Sequence, residues 1–109
     1  EYFKTLFLNE AEAFLRTLDA KTVEKVLYNI RLASQTKDAE LFKKLQDEIW
    51  EFRTLYNSQH IRLLAFWDKS DSENTLVIAT HGFVKKTDKV PQREINKAVQ
   101  LRNHYFDNK

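Results

Sequence analysis

The sequence contains no cysteine, and it has only one glycine and one proline in 109 residues. Without cysteine the chain has no disulfide framework, no thiolate ligand for a metal and no thiolate nucleophile. This composition is typical of a protein in a reducing cytoplasm. A single glycine also excludes a glycine-rich phosphate loop. The scarcity of glycine and proline predicts regular helices and strands joined by short polar turns.

Three further absences narrow the range of possible functions. The longest apolar runs are far too short to span a membrane, and the sequence shows no signal-peptide pattern. None of its three histidines belongs to an HxxxH or HExxH motif, the spacings that place metal ligands on one helix face. We therefore expect no membrane partner, no metal and no small-molecule cofactor.

Charge is nearly balanced, with a formal net charge of +2. Residues 1–50 hold 8 Lys/Arg against 9 Asp/Glu, and residues 51–109 hold 10 against 7. The net charge is therefore −1 for residues 1–50 and +3 for residues 51–109. The global charge does not identify a nucleic-acid-binding protein, but the positive excess lies in the half that contains HGFVKKTDKVP.

The length predicts one domain, residues 1–109, with one core. YFKTLFL at residues 2–8 reads as a short strand. Asn9 is a plausible N-cap for the helix that follows, with Glu12 as its capping-box partner. Asp19 begins a second helix, which completes a helical hairpin, and Asp38–Leu45 is predicted to be a third short helical piece.

The second half changes to a period of two, which predicts strands in residues 49–56, 60–67 and 75–83. Pro91 suits the first position of a final helix. The predicted order is β-α-α-β-β-β-α, an α+β fold with a small, mostly antiparallel twisted sheet. Helices packed on one face of this sheet would leave the other face open.

The strand pattern predicts a cluster of positive charges. A turn at Ser58-Gln59 would make Arg53 and Arg62 diagonal neighbours on one face, whereas a turn one residue longer would separate them. A third strand antiparallel to the second brings the region of His81 near Arg62. Four cations then meet at one end of the sheet: Arg53, Arg62, Lys85 and Lys86.

A bound phosphate would explain such a cluster, because arginine offers a planar fork and lysine a compact point charge. A solvated surface explains it too, and spacing alone modestly favours that interpretation. Arg53 can simply pair with Glu51 or another surface acid. Arg102, on the apolar stripe of the last helix, is of the kind that usually snorkels to water.

Three segments resemble the RelE/HigB superfamily of toxins, most closely its phage-derived HigB-like branch: IWEFRTLYNSQHIRLLAF, LVIATHGFVKKTDKVP and EINKAVQLRNHYF. The similarity covers essentially the whole chain and implies a RelE-like fold. Three positions depart from the pattern, and one of them is His60, which stands where small or polar turn residues are common. Phe52 replaces the usual leucine of W-E-L-R, and Val90 precedes Pro91 where a threonine N-cap is common.

The resemblance implies a bacterial, cytoplasmic toxin of a type II toxin–antitoxin pair. Its implied partners are a helix-turn-helix antitoxin and mRNA on the 70S ribosome. The implied reaction is metal-independent attack of a ribose 2′-OH on the adjacent phosphate. Arg62 is expected to contact the transition-state phosphate and Arg53 to orient it. Lys86 is the first candidate for the general base, followed by Lys85, with His81 as a competitor.

Six further side chains are predicted to contact RNA: Lys43, Lys44, His60, Lys89, Arg102 and Tyr105. Two other functions remain open at this stage. A ParE-type gyrase poison shares the fold but acts by binding a protein. A noncatalytic relative could survive as a regulator with its antitoxin.

Overall fold

The computed structural model describes residues 1–109. The elements are β1 (Lys4–Phe7), α1 (Asn9–Leu15), α2 (Ala20–Thr36), β2 (Phe42–Gln46), β3 (Ile49–Tyr56), β4 (Gln59–Asp68), β5 (Leu76–Lys85) and α3 (Gln92–Asp107). They form one sheet in the order β1-β5-β4-β3-β2. Only the β1–β5 pair is parallel. The α+β class and the mostly antiparallel sheet are confirmed. No helix has the length and apolarity that crossing a membrane requires.

A tight hairpin sets the register between β3 and β4. Asn57 and Ser58 both have positive φ, 51° and 61°, as a two-residue type I′ turn requires. Tyr56 pairs with Gln59 across this turn. The predicted turn at Ser58-Gln59 is therefore wrong by one residue, and the predicted pairing is wrong by two. A shift of two keeps every side chain on its predicted face.

The predicted third helix at Asp38–Leu45 is wrong, because the second half of this segment forms the edge strand β2 and the first half is a turn. Phe42 pairs with Phe52, and Lys44 pairs with Trp50. The apolar residues fit a helical turn and a short strand about equally well, so periodicity alone could not decide. The aromatic partners supplied by β3 decide it in favour of the strand.

The three helix starts differ in how well the sequence indicated them. The side chain of Asp19 accepts a hydrogen bond from the Thr22 amide at 2.8 Å, which confirms the predicted start of α2. Asn9 is not the N-cap of α1, because Leu8 occupies that position and Asn9 lies inside the helix. Pro91 is the N-cap of α3 rather than its first residue.

Both faces of the sheet carry helices, so the prediction that they pack on one face is wrong. The helical hairpin covers a core that includes Phe52, Leu63 and Ala65. On the other face, Ile95 and Ala98 of α3 belong to a second core. The sheet residues of that core are Ile49, Leu64, Phe66 and Ile78. The same face continues beyond these residues towards the β3–β4 turn, where its side chains become polar.

Gly82 lies under the helical hairpin, opposite Leu63 on β4. A Cβ at this position would collide with the ring of Phe14 from α1 and lie 2.9 Å from Cδ2 of Leu63. Position 82 therefore requires glycine, because α1 packs directly on the backbone of β5 and leaves no room for a side chain.

Candidate functional site

The polar part of the α3-side face is built by rows of residues that cross β3, β4 and β5. We call this surface the arginine face. Arg53 and Arg62 are directly opposed, so their Cβ atoms are about 5 Å apart, closer than the diagonal arrangement predicted from sequence. The rows are Leu55–His60–Lys85, Arg53–Arg62–Phe83 and Glu51–Leu64–His81.

A buried carboxylate lies against both arginines. Oε1 of Glu51 is 3.1 Å from Nε of Arg62, and its Oε2 is 3.9 Å from Nε of Arg53. Neither oxygen–nitrogen pair meets hydrogen-bond geometry, since Glu51 Oε1 and both Nε atoms lack a hydrogen-bond partner. The contacts are therefore electrostatic. They offset the repulsion between two guanidinium groups on neighbouring strands.

The two arginines differ in their exposure. Arg62 is 3% exposed. Burial lowers the pKa of its guanidinium, the nearby charge of Arg53 lowers it further, and the carboxylate of Glu51 acts in the opposite direction. The side chain of Arg53 is 30% exposed and also lies 4.0 Å from the exposed carboxylate of Glu40. Arg62 is thus held inside the surface by Glu51, whereas Arg53 is the more accessible guanidinium.

The lysines of HGFVKK lie at the end of this face. Lys85 pairs with His60, which makes it a diagonal neighbour of Arg62, about 7–8 Å away between Cα atoms. Lys85 and Lys86 line a depression of about 590 Å³ together with His60 and the β3–β4 turn. Nζ of Lys85 donates to the Asp88 carbonyl at 3.2 Å. Lys86 is exposed, as a residue that meets a ligand from solvent must be.

His81 is buried between β5 and the start of α3. Its Nε2 lies 3.0 Å from Oε1 of Glu94, and its Nδ1 lies 3.0 Å from the hydroxyl of Thr80. Burial lowers the pKa of His81, although the hydrogen bond to Glu94 acts in the opposite direction. In the neutral ring only one nitrogen carries a proton, and Nε2–H can donate it to the Glu94 carboxylate. The hydroxyl of Thr80, which lies beside Nδ1, donates its own proton to the Leu64 carbonyl at 3.1 Å. Both nitrogens face groups inside the protein.

Tyr105, predicted to contact RNA, lies far from the arginine face. Its hydroxyl donates to Oδ2 of Asp68 at 2.7 Å, six residues along β4 from Arg62, or about 20 Å. Burial, together with Asp68, raises the pKa of Tyr105 to about 12. Burial also tends to raise the pKa of Asp68, but hydrogen bonds from Ser70 and Tyr105 hold it below its usual range.

The remaining predicted RNA contacts are dispersed over the surface. Lys43 and Lys44 lie on the edge strand β2, and Lys89 is exposed in the loop before α3. Arg102 lies on α3 with its guanidinium 5.2 Å from the centre of the Phe106 ring. Of the six, only His60 lies beside Lys85 and Lys86.

Sequence reasoning missed the residues that hold the cations and the histidine in place. Glu51 appeared only as one of several possible partners of Arg53, and Glu94 was not considered. A signal for Glu51 existed, because residues two apart on a strand share a face. Glu94 had no comparable signal, since it reaches His81 only through the docking of α3.

The arrangement suits recognition of a phosphodiester. Arg53 and Lys85 lie on one face of the sheet, where Arg62 is held by Glu51. Lys86 follows the end of β5 and lines the same depression as Lys85. Preorganised cations stabilise charge that develops on nonbridging phosphate oxygens without having to reorient during the reaction. The structure contains no group of three or more His, Asp or Glu side chains arranged as metal ligands.

Comparison with known proteins extends this description. Residues 13–103 match the family model described as phage derived protein Gp49-like. The toxin–antitoxin complex RelBE2 from Mycobacterium tuberculosis contains a similar chain, with a TM-score of 0.59 and 18% identity, over 78% of this chain and 100% of that one. A chain of the intact E. coli RelBE toxin–antitoxin complex is also similar, with a TM-score of 0.56 and 17% identity. The match covers 80% of this chain and 100% of that one. No curated protein matches the sequence significantly.

Proposed function

Since the chain belongs to the Gp49-like family of phage-derived proteins and has the fold found in RelBE complexes, we propose that it is the toxin of a type II toxin–antitoxin pair. Its partner would be a small antitoxin, as in the two complexes whose chains it resembles. The resemblance of its sequence to RelE/HigB toxins supports the same assignment.

The proposed activity is ribosome-dependent cleavage of mRNA. A base removes the proton of a ribose 2′-OH, and O2′ attacks the adjacent phosphorus. The bond from phosphorus to the 5′ oxygen then breaks, and that oxygen takes up a proton from a general acid such as the conjugate acid of the base. The products are a 2′,3′-cyclic phosphate and a 5′-hydroxyl, so neither water nor a metal is consumed. The observation that carries this proposal is the arginine face, where two opposed arginines share one side of the sheet with Lys85, and Lys86 lines the depression that Lys85 also borders.

Exposure favours a division of roles opposite to the one expected from sequence. Arg53 is positioned to contact the phosphate, because a third of its side chain is open to solvent. Arg62 is buried against Glu51 and supports Arg53 from beneath the surface. Lys86 remains the first candidate for the base, followed by Lys85. His81 is less suited, since both of its nitrogens face groups inside the protein.

The test is an in vitro translation reaction in which mRNA 5′ ends are mapped with and without ribosomes. Wild type should produce cuts in phase with codons, and only when ribosomes are present. Arg53→Ala and Lys86→Ala should each reduce the rate of cleavage by roughly a hundredfold. Lys21→Ala, an exposed change on α2, serves as the control. Cleavage retained in both site variants would remove these roles.

A noncatalytic binding module is the second candidate, and one observation favours it. The Glu51 carboxylate already neutralises Arg62, as expected for a structural ion pair. Intact mRNA together with tight antitoxin binding would support this alternative. Intact mRNA together with inhibition of DNA supercoiling would instead indicate a ParE-type gyrase poison.

A further inference from the structure

An aromatic groove lies on the opposite face of the sheet from the arginines. Trp50 stacks on Phe42 with ring centres 4.9 Å apart and meets Trp67 edge-on at 5.6 Å. Both indoles are only partly buried. The groove has a volume of about 860 Å³, larger than the depression beside Lys85 and Lys86. A floor of partly open aromatic rings is unusual for a surface that only faces water.

Lysines surround this aromatic floor, which we call the tryptophan groove. Nζ of Lys69 lies 5.0 Å from the centre of the Trp67 ring. The acid that lines the groove, Glu48, is 3.6 Å from Lys44, and both side chains are more than half exposed. Such an exposed pair holds its partners weakly. The lysines that line the groove include Lys37, Lys44 and Lys69. Lys43 also borders it, but it pairs with Glu51, so its side chain leaves β2 toward the face of the arginines.

We propose that the tryptophan groove binds unpaired nucleotides of RNA. Bases stack on Trp50 and Trp67, and the lysines contact the phosphates between them. Proteins that bind single strands combine stacking aromatics with cations along the backbone in this way. The groove is separate from the arginine face, because neighbouring residues of a strand, such as Trp50 and Glu51, point to opposite sides.

The combination of groups favours RNA over an acidic peptide. Both ligands would satisfy the lysines, but only a nucleic acid also supplies a flat aromatic unit with every charge. The cations are all lysines, compact charges without the planar fork that fixes a carboxylate. Binding here does not require cleavage, so this inference stands independently of the proposed nuclease activity. A nuclease that works inside a ribosome would, however, meet RNA on both faces.

Intrinsic fluorescence provides a direct test, because Trp50 and Trp67 are the only tryptophans in the chain. Titration with a single-stranded oligoadenylate RNA should quench the emission, and added salt should weaken the quenching. Lys44→Gln/Lys69→Gln should weaken binding about tenfold and reduce the slope of log K against log salt by about 1.4. Lys21→Gln/Lys25→Gln, with the same charge change on α2, should match wild type. Trp67→Leu should weaken binding about tenfold, measured by anisotropy of labelled RNA.

Three outcomes would overturn the proposal. One is an absence of quenching, and another is quenching that is unchanged in Lys44→Gln/Lys69→Gln. Either would mean that the lysines serve only to keep the edge of the sheet from pairing with another chain. Quenching by an oligoglutamate peptide but not by RNA would assign the groove to an acidic protein ligand. The variant Arg53→Ala separates the two proposals, since it should lose cleavage and still show wild-type quenching. Quenching without any cleavage in wild type would refute the nuclease alone.

Discussion

The carboxylate of Glu51 lies 3.1 Å from the guanidinium of Arg62, and both side chains are almost completely buried. Arg53 lies directly across from Arg62 on the next strand. The cation that the sequence suggested for phosphate contact is therefore part of an internal ion pair. The positive charge that solvent can reach at this surface therefore comes from Arg53 and from Lys85 and Lys86.

Glu51→Gln should lower the free energy of unfolding by about 3 kcal/mol, because Arg62 would remain buried without its counter-ion. Urea denaturation measures this change. Glu48→Gln, an exposed change at the β2–β3 turn, should cost less than about 0.5 kcal/mol. The double variant Glu51→Gln/Arg62→Gln should be more stable than Glu51→Gln alone. Additive losses in the double variant would show that the pair is not coupled.

The burial of His81 predicts a pH dependence of folding. The pKa of His81 in the folded protein is lower than its ordinary value of 6.5. Just below pH 6.5 the imidazole is therefore protonated in the unfolded chain while it is still neutral in the folded protein. This contribution to stability is complete above pH 6.5 and declines on acidification, by up to about 1.4 kcal/mol per pH unit. The charged groups that face His81 are Glu94, Lys97 and Glu10.

His81→Gln should remove this slope, as measured by urea denaturation between neutral pH and mildly acidic pH. His60→Gln, at an exposed position, should keep it. Stability that increases on acidification in wild type alone would show that the imidazolium pairs with Glu94 and is the favoured form.

Gly82→Ala should destabilise the protein by about 1–3 kcal/mol, because the added methyl group overlaps the Phe14 ring. Thermal unfolding followed by circular dichroism would show the loss. Gly82→Ala/Phe14→Leu should recover part of it by making room. If the smaller side chain brings no recovery, the glycine is required for a reason other than the packing of α1.

Tyr105→Phe should cost about 1–2 kcal/mol of stability, since Asp68 would lose a buried hydrogen-bond donor. In an absorbance titration of the four tyrosines, one phenol should stay protonated until about pH 12, and this phenol should be missing from the variant. Cleavage of mRNA should persist, because the hydroxyl lies at the far end of β4. Loss of cleavage in a stable variant would instead support its predicted RNA contact.

The shared face of Arg53 and Arg62 was predictable because strand alternation survives a register error of two residues. The register itself depended on the turn. Asn57 tolerates the left-handed conformation better than Ser58 does, and this preference was the clue to placing both residues in the turn. Their φ values in the structure agree with that placement.

The parts that sequence reasoning missed depend on contacts between distant segments. β2 is a strand because Trp50 and Phe52 offer cross-strand partners to Lys44 and Phe42. The tryptophan groove arises because Trp67, from another strand, meets Trp50. Neither relationship appears in a local pattern, whereas the capping of α2 by Asp19 does.

The parallel pairing of β1 with β5 joins Lys4 to Leu76, residues separated by most of the chain. β1 is synthesised long before β5, and the two pair only once these distant segments meet. Until then β5 keeps an unpaired edge, and bringing such distant segments together is slow. The newly made protein therefore passes through an interval in which its sheet is incomplete. During that interval the unpaired edge of β5 is open to any other extended segment.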